Sequence, residues 1–313
     1  MLGPNAEQYK VCGVIPRIHG ARLSGPAGNE KMTANPVVRS LILNLELARR
    51  LELAEAQAAV DAARALERLR PDSGAAVEAI AGGFAVYCGV NSPLTQAVGL
   101  GLSGVVSEEE FARLEGFYRT RREPIRVETC PIADPSLMEH FGSRGYRATE
   151  FTNVMARPIG LKGERRRPPP KGITISKVRQ REMAAWAHTV ALGFAESHPL
   201  TDQMLEVMQA FGSGPNAECY LARVDGQVAG GAALALCRGA AGLFGASTLP
   251  AFRGRGVQTA LLDRRLKRAA AAGADLAMCL AQPGSTSERN VVRQGFQVLY
   301  TRVKFEKETA AKN

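Results

Sequence analysis

Two arginines alternate with two glycines in Arg253-Gly254-Arg255-Gly256, where an apolar strand-like run (Gly242 to Leu249) gives way to a helix-like run (Val257 to Ala272). A helix start presents unpaired backbone N–H groups and a partial positive charge. Glycines let a ligand approach the backbone closely. Arginines fork onto phosphate oxygens. With Val257, Gln258 and Thr259 the segment reads as an anion cradle whose natural guest is a pyrophosphate. The bland alternative is a basic surface turn. The strand before it and the periodic helix after it favour the cradle.

Other motifs carry less. Gly99-Leu-Gly101-Leu-Ser-Gly104 matches the dinucleotide fingerprint letter for letter. The acidic run Ser107-Glu108-Glu109-Glu110 crowds the following helix start and repels a pyrophosphate, so a glycine-rich turn is the simpler reading. Six cysteines are scattered singly, with no Cys-x-x-Cys pair and no histidine cluster, so no metal is expected. Trp186 lies mid-helix and reads as core, and His140 and His188 have no ligand spacing.

The elements that must position the cradle follow from pattern and punctuation. Residues 1–36 read as a loose tail without the apolar core of a signal peptide, so a cytoplasmic location is expected. An Ala/Leu/Glu/Arg-rich run from Leu41 to Leu69 reads as one long helix or two shorter ones. Strand-like runs follow at Ala76 to Cys88 and Thr95 to Leu100. Ser107-x-x-Glu110 caps a helix reaching about Arg122, and Ile125 to Cys130 reads as a strand. Asp134-Pro135-Ser136 starts a helix ending before Gly145-Tyr146, and a strand carries on to Met155. Residues 161–170 form a basic, Pro-rich linker. Beyond it come a strand (Ile173 to Val178), helices at Arg181 to Phe194 and Thr201 to Phe211, and a hairpin about Asp225-Gly226. After the cradle and its helix, Asp275 to Leu280 is a strand, Ser285-x-x-Glu288 caps a helix to Gln294, and Gly295-Phe296 leads into closing strands.

The two halves echo each other. Strand to Cys130, Pro-Ser cap, helix, Gly145-Tyr146 and strand match strand to Cys279, Pro283-Gly-Ser285, helix, Gly295-Phe296 and strand. Two copies of one α/β unit, packed as an internal pseudo-dimer, are the expected meaning, against chance similarity between two helix–strand units.

Arg253-x-x-Gly256 and the order of elements around it resemble the GNAT superfamily of acyl-CoA-dependent N-acyltransferases. The family places Gly or Ala where this chain has Gln258, which makes the loop roof bulkier. The resemblance implies two GNAT-like domains in tandem. Residues 37–160 would be a degenerate copy and residues 171–313 the working one. Each would be an α/β unit with a mixed, mostly antiparallel sheet flanked by helices. It implies acetyl-CoA as the acyl donor, with no metal. The loop Arg253 to Thr259 would hold the pyrophosphate, and the backbone near Thr248 and Leu249 would meet the pantetheine arm and polarise the thioester. Ser285 and Asn290 would lie where the next helix meets the donor. Ser285 also reads simply as a helix cap.

An amine acceptor must lose a proton. Glu196 and His198, in a loop that borders the substrate cleft in the family, are the candidates, and Glu218 is a weaker one. The tyrosine that many members use as an acid is replaced here by Val291. Tyr300 is the substitute candidate, against a plain core tyrosine. The resulting expectation is an N-acetyltransferase acting on a primary amine of a small molecule or peptide. It would be a monomer or a weak homodimer without membrane attachment. A non-catalytic acyl-CoA sensor is the first alternative. A nucleic-acid-binding protein using the basic linker is the second, disfavoured by the lack of interleaved aromatics. Much of the net charge of +10 is local to that stretch, where Arg157, Lys162, Arg165, Arg166, Arg167 and Lys171 crowd together and read as a solvated linker.

Overall fold

The computed structural model describes residues 41–160, 169–194 and 200–309. The expected tail (1–36), most of the linker (161–168), Glu196 and His198 lie outside the described residues.

Helix α1 (Leu45–Leu69) is one continuous helix, opened by Asn44, whose side chain accepts from the Leu47 amide. Strands β1 (Ala76–Ile80) and β2 (Gly83–Tyr87) form a hairpin within what the sequence presents as a single run. Ala81 and Gly82 turn the chain with positive φ at both positions. Such a turn normally announces itself with Asn, Asp or Gly twice over, and Ala81 hides it. Strand β3 (Gln96–Val98), helix α2 (Glu108–Arg119) and strand β4 (Ile125–Thr129) follow. Ser107 and Glu110 form the expected capping box. Helix α3 (Pro135–Arg144) and strand β5 (Arg147–Pro158) complete the first half.

The second half repeats the plan. It comprises β6 (Ile173–Lys177), α4 (Met183–Phe194), α5 (Asp202–Gly212), β7 (Ala217–Val224), β8 (Gln227–Cys237) and β9 (Ala240–Thr248). Then come α6 (Val257–Ala271), β10 (Leu276–Ala281), α7 (Thr286–Val292) and a single closing strand, β11 (Gln297–Lys307). β3 runs parallel to β4, as β9 does to β10, so the repeat extends to strand pairing.

The two sheets are not separate. Among the described residues all strands join one eleven-stranded sheet in the order β1-β2-β3-β4-β11-β5-β10-β9-β8-β7-β6. β11, from the second half, pairs with β4 of the first, and β5, from the first half, pairs with β10 of the second. The halves have exchanged their last strands, and β5 and β11 pair antiparallel at the centre.

A buried polar cluster fastens the exchange. Arg302 on β11 and Glu52 on α1 are each 1% exposed. Arg302 Nη2 donates to Glu52 Oε1 at 2.9 Å and to Glu55 Oε2 at 2.6 Å. Tyr300 Oη donates to Glu52 Oε1 at 2.7 Å. Glu52 Oε2 has no hydrogen-bond partner. No described helix is long and apolar enough to cross a membrane.

Candidate functional site

β9 and β10 run side by side only as far as the Met278–Gly242 pair. Beyond it β10 stays paired with β5 up to Ala281, while β9 stays with β8. The strands part because each is held by a different neighbour. The wedge they leave opens into a cleft of about 680 Å3, lined by the end of β9 and by α4, α6 and α7.

One edge of the cleft is the last stretch of β9. The β8–β9 ladder slips register between Gly231 and Ala233, and Gly245 takes positive φ (+56°). Past the slip the Leu249 amide donates to Ala229 O at 2.9 Å. Successive strand amides point to opposite sides, so the Thr248 amide faces the side that β10 has vacated. This corrects the expectation for Leu249. Its amide is committed to the sheet, and Thr248, which lines the cleft, supplies the edge. Gly193 lets α4 lie against this edge, since a Cβ there would stand 2.4 Å from the Ser247 side chain.

The cradle lies at the mouth. Gly254 and Gly256 have φ of +75° and +85°, which turns the loop so that α6 begins facing the cleft. No side chain caps α6. Its first-turn amides thus lack the partner that Ser107 gives α2, and an anion can take that place. Arg253, Gly254, Gly256, Val257, Gln258, Thr259 and Asn290 all line the cleft. Asn290 Nδ2 donates to Gln258 Oε1 at 3.0 Å and ties α7 to α6. Arg293, which the sequence did not single out, lines the same wall and donates to Asn290 Oδ1 at 3.2 Å. Its position three residues after Asn290, on the same helical face, was the available signal.

Several expected residues stand elsewhere. Arg255 turns from the cleft and pairs with Asp225 of the β7–β8 turn at 3.1 Å. Ser285 is the cap of α7, accepting from the Glu288 amide, and does not line the cleft. Tyr300 is buried in the Glu52–Arg302 cluster and does not line the cleft, and burial pushes its phenol far up. A phenol held there cannot reach a leaving sulfur. Glu218 binds Arg268 at 2.9 Å, Tyr220 and Lys177. Burial raises its carboxyl, but these donors outweigh burial and hold it below the usual range, the wrong direction for a base. Trp186 is fully buried, donating to Ala232 O. Burial pushes Cys88, Cys219 and Cys279 up to about 12 and Cys130 to about 11, as befits inert core thiols. Among the described residues no group of side chains could hold a metal ion.

Gly99 to Gly104 forms a closed turn. The Gly101 amide donates to Ala81 O and its carbonyl accepts from Asp134. The helix behind it is already capped by Ser107, so the first half lacks a matching cradle.

Residues 181–296 match the model of the Acetyltransferase (GNAT) family. The chain carries a GNAT domain. The whole fold is similar to a GCN5-related N-acetyltransferase from Kribbella flavida, at 18% identity over 83% of this chain and 95% of that one, with a TM-score of 0.60. It is also similar to a tandem GNAT protein from the clavulanic acid biosynthesis pathway, at 13% identity over 87% and 98% of the two chains, with a TM-score of 0.55. The likeness to these structures is one of fold, and it extends over both halves of the chain. No curated protein matches the chain.

The loop separates its two arginines. Arg253→Ala is expected to weaken coenzyme A binding about tenfold, the worth of one charge-assisted contact of roughly 1.5 kcal/mol. Arg255→Ala removes only an exposed pair and should change affinity less than about twofold. Calorimetric titration of both variants checks this. Equal losses would mean that Arg255 swings into the cleft.

Proposed function

We propose that the protein transfers an acyl group from an acyl-coenzyme A, with acetyl-CoA as the reference donor, to a primary amine. The observation that carries this reading is the uncapped start of α6 opening onto the wedge between β9 and β10. A pyrophosphate fits the first-turn amides and Arg253. The amide-bearing arm of coenzyme A fits the vacated edge of β9 as an added strand would.

The chain's own part in the reaction is placement. Binding through the phosphates fixes the thioester where an amine can reach it. The Thr248 amide, aimed into the wedge, is a donor for the thioester carbonyl oxygen. Glu196 and His198 follow Phe194, which lines the cleft, and are the candidates to accept the amine proton. With Tyr300 engaged elsewhere, water protonates the departing thiolate. The first half covers and supports the second, and one chain holds a complete site. A cytoplasmic setting, where acyl-CoA is available, suits this chemistry.

Titrating the full chain with acetyl-CoA, dephospho-CoA and ATP tests the reading. One site per chain for acetyl-CoA is expected, followed by release of free thiol when an amine library is added. No binding would overturn it. Two sites would overturn the inactive status of the first half. Binding without turnover on any amine would favour the sensor alternative.

A further inference from the structure

The cleft does not end at its floor. A recess of about 150 Å3 continues inward, sharing Phe194, Ala246, Gln258, Leu262 and Val291 with it. Arg265 of α6 lines the recess and is 3% exposed. Gln258, Leu262 and Arg265 lie at i, i+4 and i+7, so one face of α6 leads from the cradle to the guanidinium.

Only backbone holds that guanidinium. Nε donates to Leu261 O at 3.3 Å, and Nη1 to Ala233 O at 3.1 Å and Phe244 O at 3.5 Å, beside the slip in the β8–β9 ladder. Nη2 has no hydrogen-bond partner and no carboxylate pairs with Arg265 among the described residues. Burial pushes its pKa down to about 10, as expected of a cation that has left water without gaining an anion. The remaining walls, Leu243, Phe244, Gly245, Cys279, Leu280 and the neutral hydroxyl of Ser287, bring no charge. A buried arginine whose only job is to fill space is poorly chosen, because a hydrophobic residue does that without desolvating a charge.

We propose that this recess receives the acyl chain of the donor and that Arg265 binds a carboxylate at its far end, making the preferred donor a short dicarboxylic acyl-CoA of malonyl or succinyl size. The inference rests on the acyl-CoA reading above and narrows its donor. An acetyl group would leave the guanidinium unpaired. A terminal carboxylate gives it a charge-assisted partner in an apolar surround, where such a bond is strong. The recess has about the volume of five waters, which suits a chain of three or four carbons and excludes a fatty one. In the transfer the amine nitrogen bonds to the thioester carbon and the carbon–sulfur bond breaks with its electron pair on sulfur. The amine proton ends on that sulfur, by way of water, and the far carboxylate passes through unchanged. The acceptor exchanges a positive amine for a negative acid.

The test titrates the full chain calorimetrically with coenzyme A, butyryl-CoA and succinyl-CoA, the last two equal in carbon count. Succinyl-CoA should bind at least tenfold more tightly than butyryl-CoA. Arg265→Met should bring the two within twofold of each other and leave coenzyme A itself unchanged, and Arg265→Lys should keep part of the preference. Butyryl-CoA binding as tightly as succinyl-CoA overturns the inference while leaving the acyl-CoA reading intact. If coenzyme A fails to bind at all, both fall. Should Arg265→Met fail to fold, the wild-type ratio and the lysine variant decide.

Discussion

Arg302→Met will lower the stability of the folded chain by about 3–5 kcal/mol, measured as a shift in the urea unfolding midpoint followed by circular dichroism. Among the described residues Arg302 is the only cation bonded to Glu52, and both are 1% exposed. Methionine would fill much of the same space, so little of the loss is a cavity. The loss comes from leaving the Glu52 carboxylate in the interior with Tyr300 alone as donor to Oε1 and nothing on Oε2. Glu52→Gln combined with Arg302→Met should therefore cost less than the two single changes added together, because the second removes the charge that the first stranded. A loss under about 1 kcal/mol for Arg302→Met would mean that water reaches Glu52 and that the cluster does not fasten the exchange.

Gly254→Asp will weaken coenzyme A binding by roughly 2 kcal/mol, about thirtyfold, while Gly254→Asn stays within about threefold of wild type. The pair isolates charge from shape. At φ of +75° both side chains are strained, but Asn and Asp tolerate that region best, and a Cβ at this position meets nothing within 4 Å. Folding should be nearly equal in the two variants. Only aspartate places a negative charge against the phosphates and occupies the α6 amides meant for them. Calorimetry with coenzyme A gives the ratio. Equal affinities would remove the anion from the cradle.

The cradle was legible because its chemistry is local. Gly254, Gly256 and the uncapped helix behind them are consecutive residues, and their geometry follows from residue type. Capping residues Ser107, Asp134 and Ser285 were legible for the same reason, and each accepts from a backbone amide two or three residues on. Tyr300 and Arg255 were misplaced because their partners are distant in sequence. Nothing near Tyr300 announces Glu52, and nothing near Arg255 announces Asp225. Arg265 was hidden by its own type. It sits among Arg264, Lys267 and Arg268 in a stretch that reads as a solvated helix face, yet Leu261, Leu262, Leu266 and Ala269 beside it are also buried. The fold class was visible in the repeat of cap, helix, Gly-aromatic pair and strand. The strand exchange was not, because the partners of β5 and β11 lie more than a hundred residues away and no local residue type names them.

The exchange sets a timetable for the chain as it leaves the ribosome. Strand β4 is made early, but its neighbour on the open side is residues 303–307, which emerge only after the rest of the second half. Until then β4 offers an unpaired edge, the kind of surface that recruits stray strands. Pairings between residues so far apart in sequence form slowly. A transcript cut short before residue 297 would therefore yield two half-sheets with exposed seams and no finished domain, however complete the first half looks in sequence.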